Sequence, residues 1–465
     1  MVFSSLLFLG LFLPLLLAVY HLSPKNITVK NIILVAASML FYAWGEPKKI
    51  LLLLASAFAG YLGALIMARA QRKALKNTAL VLTLAFLIGM LMLFKYTDFF
   101  ISNVNVILGI QIPFRNFTLP LGISFYTFQI LSYVIDVYRE RTMAQRSFYK
   151  LLLYVSLFPQ LVAGPIVRYV DIEAEIEHRT VTLDGFTSGI IRFTQGLLKK
   201  VILANYAGGA VNTLIGSELG RQSALGAWVG IIMFTFQIYF DFSGYSDMAI
   251  GIGRMFGFNF LENFDYPYMS TSVTEFWRRW HMSLGSFFRD YVYIPLGGNR
   301  RHQLLNLVIV WFLTGFWHGA SWNFILWGLY YGALLIFEKK VLFKFFDKVP
   351  MVFRRIYTLA AVVGGWILFY FTDMARLKAF AIVALGRNVG ASNLQAFSVL
   401  RREAILIVLL AVFSTPLLRT ALRSMRERLP RVYAVVMPTA CVVGLWVCFI
   451  LLISQSYNPF LYFRF

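Results

Sequence analysis

The sequence predicts an all-α, polytopic integral membrane protein, and three observations carry that expectation. Of 465 residues, 59% are hydrophobic and 14% charged, with a mean hydropathy of +0.70; soluble domains hold ~45–50% apolar and ~25% charged residues. Apolar runs recur along the whole chain with short polar stretches between them. The 43 Lys and Arg against 21 Asp and Glu give a net charge of +22, and the basic residues cluster between the runs. That is the positive-inside pattern, so the charge reads as topology and no nucleic-acid partner is expected. With no repeat and no long hydrophilic segment, 1–465 forms one membrane domain: N-terminal helices over 1–150, a catalytic core over 151–337, and C-terminal helices with an aromatic tail over 338–465. Roughly ten to twelve helices are expected, some short, broken or re-entrant, around a central tunnel.

In chain order, runs at 2–20, 31–44 and 50–68 come first. The first lacks a basic leader and a small-residue cleavage site and is read as a retained span. Arg69, Arg72, Lys73 and Lys76 follow the third run and belong inside, which places the N-terminus outside. Runs at 77–96 and 119–137 enclose an external loop and return to Arg139, Arg141, Arg146 and Lys150. Over 151–168, Pro159, Gly164 and Pro165 predict two short segments. Asp171–Glu177 is a loop or surface helix, and His178 and His302 are polar-loop residues.

Runs at 185–206 and 225–256 follow, the second interrupted by Asp241, Ser243, Tyr245, Ser246 and Asp247. Five polar side chains in seven positions cannot face lipid and should line the interior. Asp241 or Asp247 could orient a histidine or bind a substrate hydroxyl; a structural hydrogen-bond network is the equal alternative. Runs at 324–337, 355–374, 403–418 and 433–453 complete the chain, and the Arg419–Arg431 cluster places the C-terminus outside. Cys441 and Cys448, seven residues apart, share a helix face as packing residues without a metal pattern.

The stretch 277–323 holds the chemistry. Ionisable side chains at membrane depth cost ~3 kcal/mol or more and are site candidates by default. His318 ends a run, Leu304–Trp317, too short for a span of ~20 residues, and Gly315, Gly319 and Ser321 permit a break there. His281 follows Ser272-Val273-Thr274-Glu275, a capping-box spacing. Trp277, His281, Leu284 and Phe288 recur on one face, predicting a continuous interfacial helix through His281. Taken alone, His281 reads as a packed histidine under tryptophans rather than as a site residue, whereas local sequence leaves His318 evenly balanced between the two readings.

The stretches PYMSTSVTEFWRRWHMSLGSFFRDYVYIPLGGNR and LTGFWHGASWNFILWG, with FPQLVAGPI (158–166) and YFDFSGYSDMAIG (239–251), closely resemble the membrane-bound O-acyltransferase (MBOAT) family in its bacterial polysaccharide branch, of the alginate type. The resemblance implies catalysis by the WHG histidine, here His318, with the RRWH histidine, His281, as the second. It implies an acyl thioester donor, acetyl-CoA, in the cytoplasm, and O-acetylation of a polysaccharide outside the bacterial cytoplasmic membrane by way of an extracytoplasmic esterase-like partner. His318 is then the general base, while His281 orients the thioester or donates to the oxyanion. Trp317, Ser321 and Asn323 are wall residues, and Arg300–Arg301 would attract the donor's phosphates.

The ending FLYFRF resembles a FxYxxF pattern of related acyl-transfer systems, in which Tyr462 would carry the acyl group or dock a partner; the sequence by itself favours an aromatic interface anchor. No GxSxG elbow occurs, so transfer is either direct or relayed through Tyr462. D-alanyl transfer and peptidoglycan O-acylation remain close alternatives, and a transporter using the histidines as a proton relay is the rival of another class.

Overall fold

A computed structural model of the chain describes residues 1–216, 219–387, 389–454, 458, 460 and 461. In order the helices are α1 (Leu13–Leu22), α2 (Ile27–Gly45), α3 (Ile50–Arg69), α4 (Lys73–Leu108), α5 (Ile123–Tyr138), α6 (Phe148–Ser156), α7 (Phe158–Leu161), α8 (Tyr169–Glu177), α9 (Leu183–Leu198), α10 (Asn205–Val211), α11 (Ala224–Met255), α12 (Val273–Arg279), α13 (Met282–Phe288), α14 (Gln303–His318), α15 (Trp322–Lys340), α16 (Met351–Tyr370), α17 (Met374–Ala384), α18 (Leu394–Arg402), α19 (Ala404–Phe413), α20 (Leu417–Arg428) and α21 (Pro430–Ser454). No strand forms among the described residues; one isolated antiparallel bridge joins Phe264 and Trp280. Two compact units result, Met1–Phe193 with Met248–Leu261, and Thr194–Asp247 with Glu262–Phe465.

The all-α membrane fold is as the sequence predicts. Six described helices are long and apolar enough to cross a membrane, or seven if α19 and α20, bent by 64°, count as one span. Two further helices, α5 and α14, fall short of that length at 16 residues each. Three boundaries differ from expectation. α4 runs on to Leu108, until Gly109 adopts a left-handed conformation. α5 starts only at Ile123, after Gly122 at φ 72°, where a Cβ would collide with the Leu161 carbonyl. The 403–418 run is not one helix; it turns at Pro416, and α20 carries the arginine cluster on an exposed, amphipathic segment.

In the first unit, 151–168 forms the expected short pieces, α6 and α7. Phe158 of the FPQLVAGPI motif packs among Phe3, Phe12 and Phe41, and its backbone N–H donates to Ser38 Oγ at 3.2 Å. Gln160 Nε2 donates to the Tyr154 carbonyl at 2.7 Å. The motif therefore satisfies its broken backbone inside protein, as membrane-depth irregularity requires.

In the second unit, α14 and α15 form a hairpin that meets through glycine. A Cβ on Gly315 would strike the Phe324 carbonyl, and one on Gly328 the Trp311 carbonyl. Small residues at such a crossing let two backbones approach within van der Waals range. Gly315→Leu and Gly328→Leu should each destabilise the protein by about 1–3 kcal/mol, read as a lower unfolding midpoint in detergent. Gly89→Leu on α4, where a side chain meets nothing within 4 Å, should leave the midpoint unchanged.

Candidate active site

Both motif histidines lie in the second unit, each at a helix end. His318 is the last residue of α14; the chain then extends through Gly319 (φ −173°) to Ser321, which begins α15. The histidine is 6% exposed and ringed by aromatic side chains: Trp317 at 5.0 Å, Trp327 at 4.9 Å and Phe369 at 5.3 Å between centroids, all three edge-on. This matches the break expected after the short apolar run.

His281 is not in mid-helix. α12 stops at Arg279, His281 takes a left-handed conformation (φ 46°, ψ 53°), and α13 starts at Met282. Such a conformation is unfavourable for a residue bearing a Cβ and persists only where surroundings over-determine it. Here they do. Asp265 N–H donates to the Arg279 carbonyl at 3.0 Å and Met282 N–H to the Asn263 carbonyl at 3.0 Å, clamping the hinge on both sides. Helical periodicity suggested one helix because the apolar positions on either side of the hinge keep the same spacing.

Asn263 sets the state of the His281 ring. Its Oδ1 accepts from Ser283 N–H at 3.3 Å and Ser283 Oγ at 2.8 Å, and lies 3.1 Å from His281 Nδ1. A backbone N–H can only donate, so this atom is the amide oxygen and His281 Nδ1 is the donor. The lone pair is thereby on Nε2. Nδ2 of Asn263 donates to Ser246 Oγ at 3.2 Å, and Phe242 meets the imidazole edge-on at 4.8 Å. His281 is 2% exposed, and burial pushes its pKa down to about 3, so the ring is neutral at ordinary pH. The Trp317 indole neighbours both histidines, 6.2 Å from His281 and 5.0 Å from His318 between centroids.

The other expected residues divide between this centre and its surroundings. Asn323 is buried and donates to the Leu368 carbonyl at 3.2 Å, joining α15 to α16; Ser321 is half-buried at the start of α15. Ser243 is buried. Asp247 pairs with Lys199 at 2.7 Å and Asp241 with Lys200 at 2.6 Å, while Tyr245 packs on Phe460. Arg300 and Arg301 are exposed in the turn before α14. Tyr462 lies outside the described residues. Ser272 caps α12, accepting from Glu275 N–H at 2.9 Å, as its spacing predicts.

Sequence reasoning did not find Asn263, Ser283 or Glu338. Glu338 stands beside Lys339 and Lys340 and reads as part of a charged loop, yet it is fully buried while the lysines are exposed. Its carboxylate accepts from Val273 N–H at 2.5 Å, Thr274 N–H at 2.8 Å and Thr274 Oγ1 at 2.6 Å. It thus ties the free amides at the start of α12 to the end of α15. The lysines at 199 and 200 carried a usable signal, since two cations inside one apolar run call for the two aspartates in another.

The fold is that of a helical membrane protein whose second unit buries two histidines among aromatic rings. The chain belongs to the membrane-bound O-acyltransferase family, whose family model matches residues 132–378, and it is an O-acyltransferase. It is 38% identical to the probable alginate O-acetylase AlgI of Pseudomonas putida over the full length of both chains. Over 79% of this chain and 75% of the relative it is 42% identical to the probable alginate O-acetylase AlgI of Azotobacter vinelandii. The peptidoglycan O-acetyltransferase of Helicobacter pylori is 35% identical over 79% of this chain and 77% of its own length. This membership bears out the resemblance and sets the transporter reading aside.

Two outcomes are expected. Glu338→Ala should cost roughly 2–4 kcal/mol of stability, because two backbone amides lose a buried acceptor; a thermal unfolding midpoint in detergent measures it. His281 has a folded pKa below its unfolded value of ~6.5, so its contribution to stability is complete above that pH and falls as pH drops toward about 3. His281→Gln should therefore show a shallower loss of midpoint than the parent between about pH 6.5 and 4.

Proposed function

We propose that this protein takes an acetyl group from acetyl-CoA on the cytoplasmic side of the bacterial cytoplasmic membrane and delivers it for O-acetylation of an extracytoplasmic polysaccharide such as alginate. Both termini lie outside, and an extracytoplasmic esterase-like acetyltransferase is the partner that completes the modification. The observation that carries the reading is that His318, buried at a helix end, and His281, buried and neutral, share Trp317 as a neighbour. The alginate relatives support the acceptor class.

His318 acts as general base. It takes the proton of the acceptor hydroxyl as that oxygen attacks the thioester carbonyl, and returns it to the thiolate that leaves. The aromatic rings around His318 exclude water, which limits hydrolysis of the thioester and strengthens polar interactions with the transition state. His281, held with its lone pair on Nε2, orients the donor. The hydroxyl that receives the acetyl group is either that of the acceptor or of the terminal Tyr462 as a relay.

A peptidoglycan acceptor is the second reading, favoured by the 35% identity to the Helicobacter enzyme. Labelled acetyl-CoA supplied to purified protein with its extracytoplasmic partner separates the two: transfer to uronic acid oligomers supports the first, transfer to glycan strands of peptidoglycan the second. His318→Ala should lower acetyl turnover ~10²–10⁴-fold while the variant still inserts and elutes as a single species. Undiminished turnover in that variant would refute the assignment of the base.

A further inference from the structure

The Asp241 carboxylate has partners on two distant parts of the chain. One oxygen, Oδ1, pairs with Lys200 Nζ at 2.6 Å, and both side chains are 2% exposed. The other, Oδ2, accepts the backbone N–H of Leu461 at 2.8 Å. Lys200 also donates to Asn205 Oδ1 at 2.9 Å, and Asn205 Nδ2 donates to Asn458 Oδ1 at 3.3 Å. Beside them the Phe460 ring lies 4.6 Å from Tyr245, tilted 31°, and Phe460 and Leu461 are both buried. Thus the described residues after α21, at 458, 460 and 461, each contact the same small group of side chains on 200–245.

A buried ion pair is tolerable only when the remaining lone pairs are also satisfied. Here the second carboxylate oxygen is satisfied by a main-chain amide of the C-terminal segment. On α11, Asp241 and Tyr245 stand one turn apart on one face. Phe242 and Ser246 stand on the adjoining face, ~100° round the helix, and that face carries the contacts to His281 and Asn263.

We propose that the Lys200–Asp241 pair is a receptor for the chain's own C-terminal arm. By holding Leu461 against α11, on the face next to the one that contacts His281, it fixes the segment at Leu461 in the arrangement that acyl transfer requires. The second half rests on the reading of His281 and His318 as the reaction centre; the first half does not. Asp241 is then a positioning residue acting through the arm.

Hydrogen–deuterium exchange of the full-length protein in detergent tests the receptor without any assay of transfer. The C-terminal peptide should exchange at least tenfold faster in Asp241→Ala than in the parent, with peptides of α15 and α16 unchanged. Should Asp241→Ala fold poorly because Lys200 is left unpaired, Leu461→Pro removes the donated N–H while keeping the Lys200–Asp241 pair, and should release the arm equally. An arm that exchanges at the parent rate in a folded variant of either kind overturns the receptor. In the labelled acetyl-CoA assay, Leu461→Pro should lower kcat at least tenfold with KM for acetyl-CoA unchanged. A released arm with unaltered kcat would overturn the positioning role and leave the receptor standing. Loss of activity in His318→Ala bears on the reaction centre and on neither half.

Discussion

The functional half of this protein depends on one requirement, that polar groups carried into an apolar interior find partners there. α12 starts inside a cluster of tryptophans and tyrosines, with backbone amides that water cannot reach. Ser272 satisfies one of them locally, and the Glu338 carboxylate satisfies two more from the far end of α15. α15 itself begins at the turn that follows His318. The same rod therefore fixes the element leading to His281 and the turn bearing His318, and Trp277 packs along it against Trp327 and Tyr331. Two histidines far apart in sequence become parts of one framework because a buried amide has no cheaper acceptor.

The two imidazoles are prepared differently. His281 is locked through Nδ1 to an asparagine whose own orientation is fixed by a backbone donor, and burial keeps the ring neutral. His318 is walled by aromatic rings at the end of a helix. A ring of fixed tautomer suits orientation of a donor, whereas a ring enclosed by apolar faces suits proton transfer out of reach of water. The proposed roles, His281 orienting the donor and His318 acting as base, agree with these surroundings.

α11 organises what stands around that centre. Its interrupted polar stretch, which read as either a site or a hydrogen-bond network, divides by face: Asp241 and Tyr245 meet the C-terminal segment, while Phe242 and Ser246 reach the His281 hinge. Asp247 pairs with Lys199. Paired charges of this kind are tolerated because each removes the other's desolvation cost only where geometry holds them together.

By itself the sequence determined the class of fold and singled out the candidate site. Composition and run spacing require helices in a membrane, because backbone groups there must be satisfied within the segment. Pro159 with Gly164, and Gly319, mark where helices break, while Gly315 admits the close contact of α14 with α15. The histidines stand out because charge is costly at that depth. Tertiary structure alone decided that His281 sits in a left-handed hinge, that Glu338 is buried while Lys339 and Lys340 are not, and that Leu461 meets Asp241. Periodicity cannot report a hinge that preserves the spacing on either side. Burial of a charged or polar group depends on a partner supplied from a distant part of the chain, and local sequence carries no record of which partner will be there.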